Sequence, residues 1–335
     1  MEIRKVQVTG GSSYIVSLPK TWIRASNIQK NDPLGLIVQP DGSLTVTPRI
    51  AGRSAERVKV FDLRDIGDSV YLYRCLISAY VAGFTRIKLV SEGRMPPYAH
   101  RTVRKFIQVT IGQEVSDESG HEIIISDLLS PGEMPFEKMI ERMYVIVRGM
   151  QEDAMIALKT RNQELAEDVI SRDHDVNRLF WLVARQYNLI LRDPLLARDM
   201  GTDVWLAQNF FQISQRIERV GNHVVKISKN VNDLLYVPLE RRMIDTIEMM
   251  SRDSLAILGA AVGAFLKKDL EACNRAADAV SSFVIRCNKL DQDLFKLESP
   301  GAVFIGYIVE SLRGIGGCGG LIAETAMTSL VDESP

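Results

Sequence analysis

The spacing of apolar positions changes its period along these 335 residues, and the changes divide the chain. At the start the period is two. Ile3-Arg4-Lys5-Val6-Gln7-Val8 and Tyr14-Ile15-Val16-Ser17-Leu18 alternate on either side of Gly10-Gly11-Ser12-Ser13, which predicts two strands about a turn. Pro19 is suited to open a short helix through Arg24. Lys30-Asn31-Asp32-Pro33 turns into a strand at 34–38, and Pro40-Asp41-Gly42-Ser43 turns that strand back into one at 44–47. Four short strands in fewer than fifty residues bury little, so a second copy is expected to complete this core.

Between 56 and 130 the period alternates. A strand at 57–63, a helix at 68–83, a buried strand at 86–90 and a helix at 97–107 precede a hairpin of 113–116 with 122–128, turned at Glu118-Ser119-Gly120. The order β-α-β-α-β-β predicts a small two-layer α/β sandwich. It has no phosphate-cradling glycine loop or catalytic cluster, and His100 and His121 read as surface histidines. The sequence assigns this segment no function.

From Phe136 onward the period is helical. Phe136, Ile140, Met143, Val147, Met150 and Ala154 form one seam. A second helix starts at Asn162, carries its seam from Leu165 to Ile190, and ends at Asp193-Pro194. The third is the most regular: Leu206, Phe210, Ile213, Ile217, Val220, Val224, Ile227, Val231 and Leu234 alternate steps of four and three. After Tyr236-Val237-Pro238 the pattern restarts, with helices at 239–268, 270–297 and 302–331 and a break at Glu298-Ser299-Pro300-Gly301. SLRGIGGCGGLIAE in the sixth helix parallels RIERVGNHVVKIS in the third, so the unit is duplicated. The fold class is mixed: a small all-β head at 1–50, an α/β sandwich at 51–130, and two antiparallel three-helix bundles at 131–236 and 237–335.

Composition adds modest constraints. Hydrophobic residues at 46% and charged residues at 25% describe a soluble globular chain. Four dispersed cysteines argue against a disulfide framework or a structural zinc site. With charged residues recurring from Glu2 onward no leader is expected, and the apolar stretch at 254–266 is short of the roughly 20 residues that cross a bilayer. A cytoplasmic protein without membrane insertion is expected. The net charge of -1 conceals a basic head, with six Lys/Arg against three acids in residues 1–50, and an acidic body, with 24 against 29 after residue 130. Polyanion binding is therefore expected of the head alone.

The head, RKVQVTGGSSYIVSLPKTWIRASNIQKNDPLGLIVQPDGSLTVTP, resembles the SpoVT/AbrB swapped-hairpin family over its whole length. The resemblance implies an all-β swapped-hairpin barrel made by a homodimer, with DNA phosphates contacted by Arg4, Lys5, Lys20 and Arg24. Dimerisation without DNA is the alternative, since four basic residues per copy permit phosphate neutralisation without compelling it.

The two bundles, with Ile217-Glu218-Arg219-Val220-Gly221-Asn222-His223 in the third helix and Asp173-His174-Asp175-Val176-Asn177-Arg178-Leu179 in the second, resemble PhoU. With the head, the architecture is similar to the long archaeal type of phosphate-uptake regulator. That resemblance implies regulation of phosphate uptake and homeostasis through contacts with a phosphate transporter ATPase, and surface iron or zinc held by matched acid pairs. The candidate positions are Asp173, Asn177, Glu218, Asn222 and His223. Glu218 and Asn222, four apart, lie about 40° from each other on a helical wheel and about 140° from the seam, so they are expected to face outward. Asn222 stands where an acid is expected, and in the second repeat Arg313 and Gly317 take the matching places, beside Asn288 and Gln292. Metal is therefore expected in the first bundle if anywhere, and a solvated helix face is the plain alternative. The glycine run at 314–320 lacks a P-loop's Lys-Ser/Thr ending and preceding strand, and is expected to serve close helix contact. With no Ser-His-Asp or Cys-His set in view, an enzyme is not expected. The competing reading is an AbrB-type transcriptional regulator whose bundles sense metal or phosphate.

Overall fold

Two adjacent glycines turn the first hairpin. Gly10 and Gly11 have φ of 63° and 81°, a backbone region that residues with a Cβ seldom enter. They join β1 (Gln7–Thr9) to β2 (Ser13–Ile15), an antiparallel pair with Val8 opposite Tyr14. The computed structural model describes residues 2–38, 42–48, 56–294 and 300–332. The predicted turn at Pro40-Asp41 and the break at Glu298-Ser299 lie outside the described residues. After α1 (Lys20–Ala25), β3 (Gly35–Val38) and β4 (Leu44–Thr47) make a second antiparallel pair. The paired part of the first strand begins at Gln7, later than the alternation from Ile3 predicts. Within one chain the two pairs remain separate sheets and do not close into a barrel. The unit Met1–Ala55 has no buried residue among those described, and Tyr14 and Val38 are each 76% exposed.

The second unit, Glu56–Pro335, opens with the α/β layer. Its elements are β5 (Val58–Asp62), α2 (Ser69–Val81), β6 (Arg86–Val90), α3 (Pro97–Val109), β7 (Gln113–Glu118) and β8 (Glu122–Asp127), as the sequence order predicts. The sheet order is β5-β6-β8-β7, with β5 and β6 parallel and β8 antiparallel to both neighbours. Alternation places Ile87 and Leu89 of β6 and Ile123 and Ile125 of β8 in the core with Leu72, Leu76 and Tyr80 of α2. The Asp68 carboxylate accepts hydrogen bonds from the Val70 and Tyr71 amides and starts α2.

The helical body comprises α4 (Phe136–Thr160), α5 (Gln163–Ile190), a short α6 (Pro194–Asp199), α7 (Val204–Leu234), α8 (Arg241–Lys267), α9 (Leu270–Leu294) and α10 (Gly301–Asp332). The predicted seams are the buried faces: every seam residue named for α4 is buried, and all of α7's except half-buried Leu206. Asn162 and Asp203 cap α5 and α7 through their side-chain oxygens. Among these helices α6 has no counterpart in the spacing of apolar positions. The duplication is visible in the backbone, since α4 and α8 both end on a left-handed basic residue, Arg161 and Lys268, each with φ of 55°. The two sets share one hydrophobic core, because α10 packs along α7 as well as along α8 and α9.

The glycine run at 314–320 serves helix contact, as expected. A Cβ on Gly314 would strike His223, one on Gly316 would strike Phe283, and one on Gly320 would strike Val280. A polar crossing joins the first helices of the two sets: the buried Gln151 amide of α4 donates to the Ser251 and Ser254 hydroxyls of α8 at 2.8 and 3.0 Å. By length and composition α8 could cross a membrane, but half of its most apolar window is buried inside this body.

The α/β layer is clamped to the body by Arg185 of α5. This guanidinium donates to the Tyr80 and Phe84 carbonyls, pairs with the Asp127 carboxylate, and lies 4.9 Å from the centre of the Tyr80 ring. Only 3% of its side chain and 10% of that of Asp127 are exposed. Asn188, one turn on, donates to the Val81 carbonyl at 3.1 Å.

Candidate functional site

The candidate positions of the first bundle come together where α5 crosses α7. Asn177 donates to Asp173 at 2.8 Å, and Asn222 donates to Glu218 at 2.7 Å, so each carboxylate is engaged by the amide one turn on. Gly221 allows the crossing, because a Cβ there would lie 3.2 Å from Asp173 Oδ1. The predicted outward orientation of the pair holds for Asn222, which is exposed, and fails for Glu218, which is half-buried. A wheel drawn for α7 alone omits α5. Burial raises the Asp173 carboxyl above its ordinary range, opposed by the Asn177 hydrogen bond. Burial likewise raises Glu218, opposed by Asn222 and reinforced by the charge of Asp173. Asp173 Oδ1 is buried without a hydrogen-bond partner.

His223 goes elsewhere. Its ring enters the notch left by Gly314 of α10, and Nδ1 is buried without a partner. Burial first, then the charges of Lys226 and Arg219, lower it from 6.5 to about 4. A folded-state pKa below the unfolded one means that the unfolded chain takes up the proton first, so this residue costs stability as pH falls from 6.5 towards 4. The raised carboxyls of Asp173 and Glu218 act with the opposite sign. Urea denaturation at pH 6.5, 5 and 4 is expected to show a smaller acid loss for His223→Gln than for the parent and a larger one for Asp173→Asn. Equal losses in all three would place the acid sensitivity outside this crossing.

The surroundings are cationic. A groove of about 590 Å³ beside the crossing is lined by Arg216, Arg219, Lys226 and Lys229, with Glu218 as its one acid. None of the four cations pairs with an acid among the described residues. An iron or zinc cluster needs several anionic donors to replace its hydration. Two amide-bonded carboxylates beside four positive charges, with an imidazole that lines the groove while packed against Gly314, are too few anionic donors for one. Among the described residues no three His, Cys, Asp or Glu side chains are grouped to hold a metal. In the second repeat Arg313 pairs with both Asp291 and Glu310, so a guanidinium already neutralises the acids of that face. Asn288, Gln292 and Gly317 add no charge there.

In the head, Arg4, Lys5, Lys20 and Arg24 are all exposed, as phosphate contacts require. Arg4 is engaged by Glu2 at 2.6 Å, a competitor that the residue pattern did not reveal. The residue pattern also held Arg216, Lys226 and Lys229, which with Arg219 fall at steps of three, seven and three along one face of α7.

The chain thus combines a small β-hairpin head, an α/β layer and a duplicated helical body with a cationic face. Residues 140–231 match the family model described as the PhoU domain, and residues 7–53 match that of "Antidote-toxin recognition MazE, bacterial antitoxin". The chain is thus similar to the PhoU domain over 140–231, behind a segment similar to MazE. Two solved structures share the fold of the body. One is the phosphate transport system regulatory protein PhoU from Streptococcus pneumoniae, with 20% identity, TM-score 0.50, and coverage of 59% of this chain and 94% of that one. The other is PhoU from Pseudomonas aeruginosa, with 19% identity, TM-score 0.53, and coverage of 59% and 96%. No curated protein matches the chain by sequence. The α/β layer lies outside both matched segments.

Proposed function

We propose that the chain is a non-enzymatic, cytoplasmic regulator of phosphate uptake and phosphate homeostasis. Its helical body contacts a phosphate transporter ATPase, and its head forms a homodimer that holds DNA. The observation that carries the first part is the cationic groove within the PhoU match, where Arg216, Arg219, Lys226 and Lys229 face one carboxylate. Such a surface complements an acidic protein face and steers its approach. Tagged full-length protein is expected to capture the transporter ATPase, and an Arg219→Glu/Lys226→Glu variant to lose it. Lys138→Glu, a charge change on α4 outside the groove, leaves capture intact. Undiminished capture by the double variant would move the contact elsewhere, and no ATPase in either sample would remove the transport reading.

The dimer rests on the bare head. Val8, Tyr14, Leu36 and Val38 are each more than 60% exposed, on strands whose unit buries none of its described residues. A second copy that interleaves its hairpins covers that surface. Deleting residues 1–55 is expected to change the mass in light scattering from dimer to monomer. A deletion that remains dimeric would place the interface in the body.

A transcriptional regulator whose bundles sense metal or phosphate has one observation in its favour, the buried unpartnered oxygen of Asp173 beside Glu218. Elemental analysis of purified protein is expected to give less than one iron or zinc per chain. A stoichiometric ion that disappears in Glu218→Ala would reinstate the metal-sensing reading.

A further inference from the structure

We infer that the α/β layer binds a small organic phosphate in a cavity at the start of α3. This inference stands apart from the transport reading: failure to capture an ATPase leaves it untouched, and its own failure leaves the groove on α7 untouched.

The cavity holds about 900 Å³, the size of a small-ligand site. It is formed where the loop after β6 enters α3 and where the hairpin of β7 and β8 passes alongside. Three guanidinium groups line it: Arg94 from the loop, and Arg101 and Arg104 from one face of α3, three residues apart. All three are exposed, and none pairs with an acid among the described residues.

The acids nearby already have basic side chains beside them. Glu118, the one acid among the described lining residues, has His100 Nδ1 at 3.1 Å, and Glu122 pairs with Lys88. The arginines therefore meet open water with their charge unneutralised. The helix adds to the same field: α3 begins at Pro96-Pro97 without a side-chain cap and without an acid in its first turn, and that turn lines the cavity. A positive helix end and three cations on a concave surface concentrate anions. Guanidinium groups suit phosphate in particular, since their planar fork donates two parallel hydrogen bonds to its oxygens.

The remaining wall selects the other half of the ligand. Met95, Val103, Val115 and Ile123 form an apolar surface beside the arginines. Inorganic phosphate would leave that surface and most of the volume unused. A nucleoside monophosphate or sugar phosphate fills both parts, its phosphate on the arginines and its carbon skeleton against the apolar wall.

Titration calorimetry of the full chain at low salt, with adenosine monophosphate, glucose 6-phosphate and inorganic phosphate as probes, tests this. At least one organic phosphate is expected to bind once per chain and more tightly than inorganic phosphate. Arg101→Ala and Arg104→Ala should each weaken it about tenfold to a hundredfold, the value of a charged hydrogen bond, with partial rescue by lysine. Arg74→Ala, which removes a charge from α2 outside the cavity, should change nothing. If an alanine variant fails to fold, protection of Arg101 and Arg104 in the parent protein from phenylglyoxal by adenosine monophosphate reads the same contact. No saturable binding of either organic phosphate overturns the inference, as does binding that both variants retain. Inorganic phosphate binding as tightly as the organic probes would remove the organic class. A short DNA duplex that binds through Arg101 and Arg104, with no small phosphate binding, would reassign the arginines to nucleic acid.

Discussion

Replacing Arg185 with alanine should destabilise the Glu56–Pro335 unit by about 3–5 kcal/mol, the cost of removing one partner of a buried ion pair. Three acceptors depend on this guanidinium: the Asp127 carboxylate and the carbonyls of Tyr80 and Phe84. With arginine gone, the carboxylate keeps one local donor, the Leu129 amide at 3.2 Å, and its charge remains desolvated. Lysine is a poor substitute, because one ammonium cannot serve acceptors spread over the α2–β6 corner and the end of β8. Asp127→Asn in the Arg185→Ala background should recover part of the loss, since the uncompensated charge is then gone. Urea denaturation of the parent, the two single variants and the double variant measures the coupling. A loss below about 1 kcal/mol in Arg185→Ala would mean that the junction relaxes and admits water, with the clamp contributing little.

The second large effect concerns salt. In the proposed dimer, Arg4, Lys5, Lys20 and Arg24 give eight cations on the head, and neutralising that many phosphates costs roughly three to five orders of magnitude in affinity between 50 and 200 mM salt. Arg4→Ala with Lys5→Ala removes half of them. The double variant should bind every sequence more weakly and show about half the parent's slope of log affinity against log salt. Glu2→Gln is expected to act in the opposite direction, because it frees Arg4 from its 2.6 Å partner. Promoter affinity that survives the double substitution intact would move the contact face away from these residues.

The long helices were legible because a single requirement governs them. A seam stepping by four and three must be buried, and from Phe136 to Leu234 it is, apart from half-buried Leu165, Tyr187 and Leu206. The strands of the α/β layer were legible for the same reason at period two. In the head, alternation marks apolar residues without saying what covers them, and a single chain leaves them bare. The clamp was missed because a buried ion pair has no periodicity: Asp127 and Arg185 stand 58 residues apart. One signal was available. Arg185 falls three after Leu182 and four before Leu189, on the buried side of α5, where a charge without a partner would be costly. The crossing of α5 and α7 was half legible. The spacing of Asp173, Asn177, Glu218 and Asn222 put each pair one turn apart, while the burial of Glu218 and the turn of His223 towards α10 depend on neighbours that no single helical wheel contains.

The packing of α10 along α7 bears on how the duplicated body holds together. Two helical units that merely followed one another would each possess a stability of its own and open separately. Here the face of α7 that lies against α10 would become wet apolar surface as soon as the second repeat opened, and the loss would spread back into the first. Neither repeat therefore has a free energy of folding that can be quoted without the other. A substitution deep in α9 is inherited by the groove on α7, and cooperativity passes through the shared core although the sequence still reads as two copies.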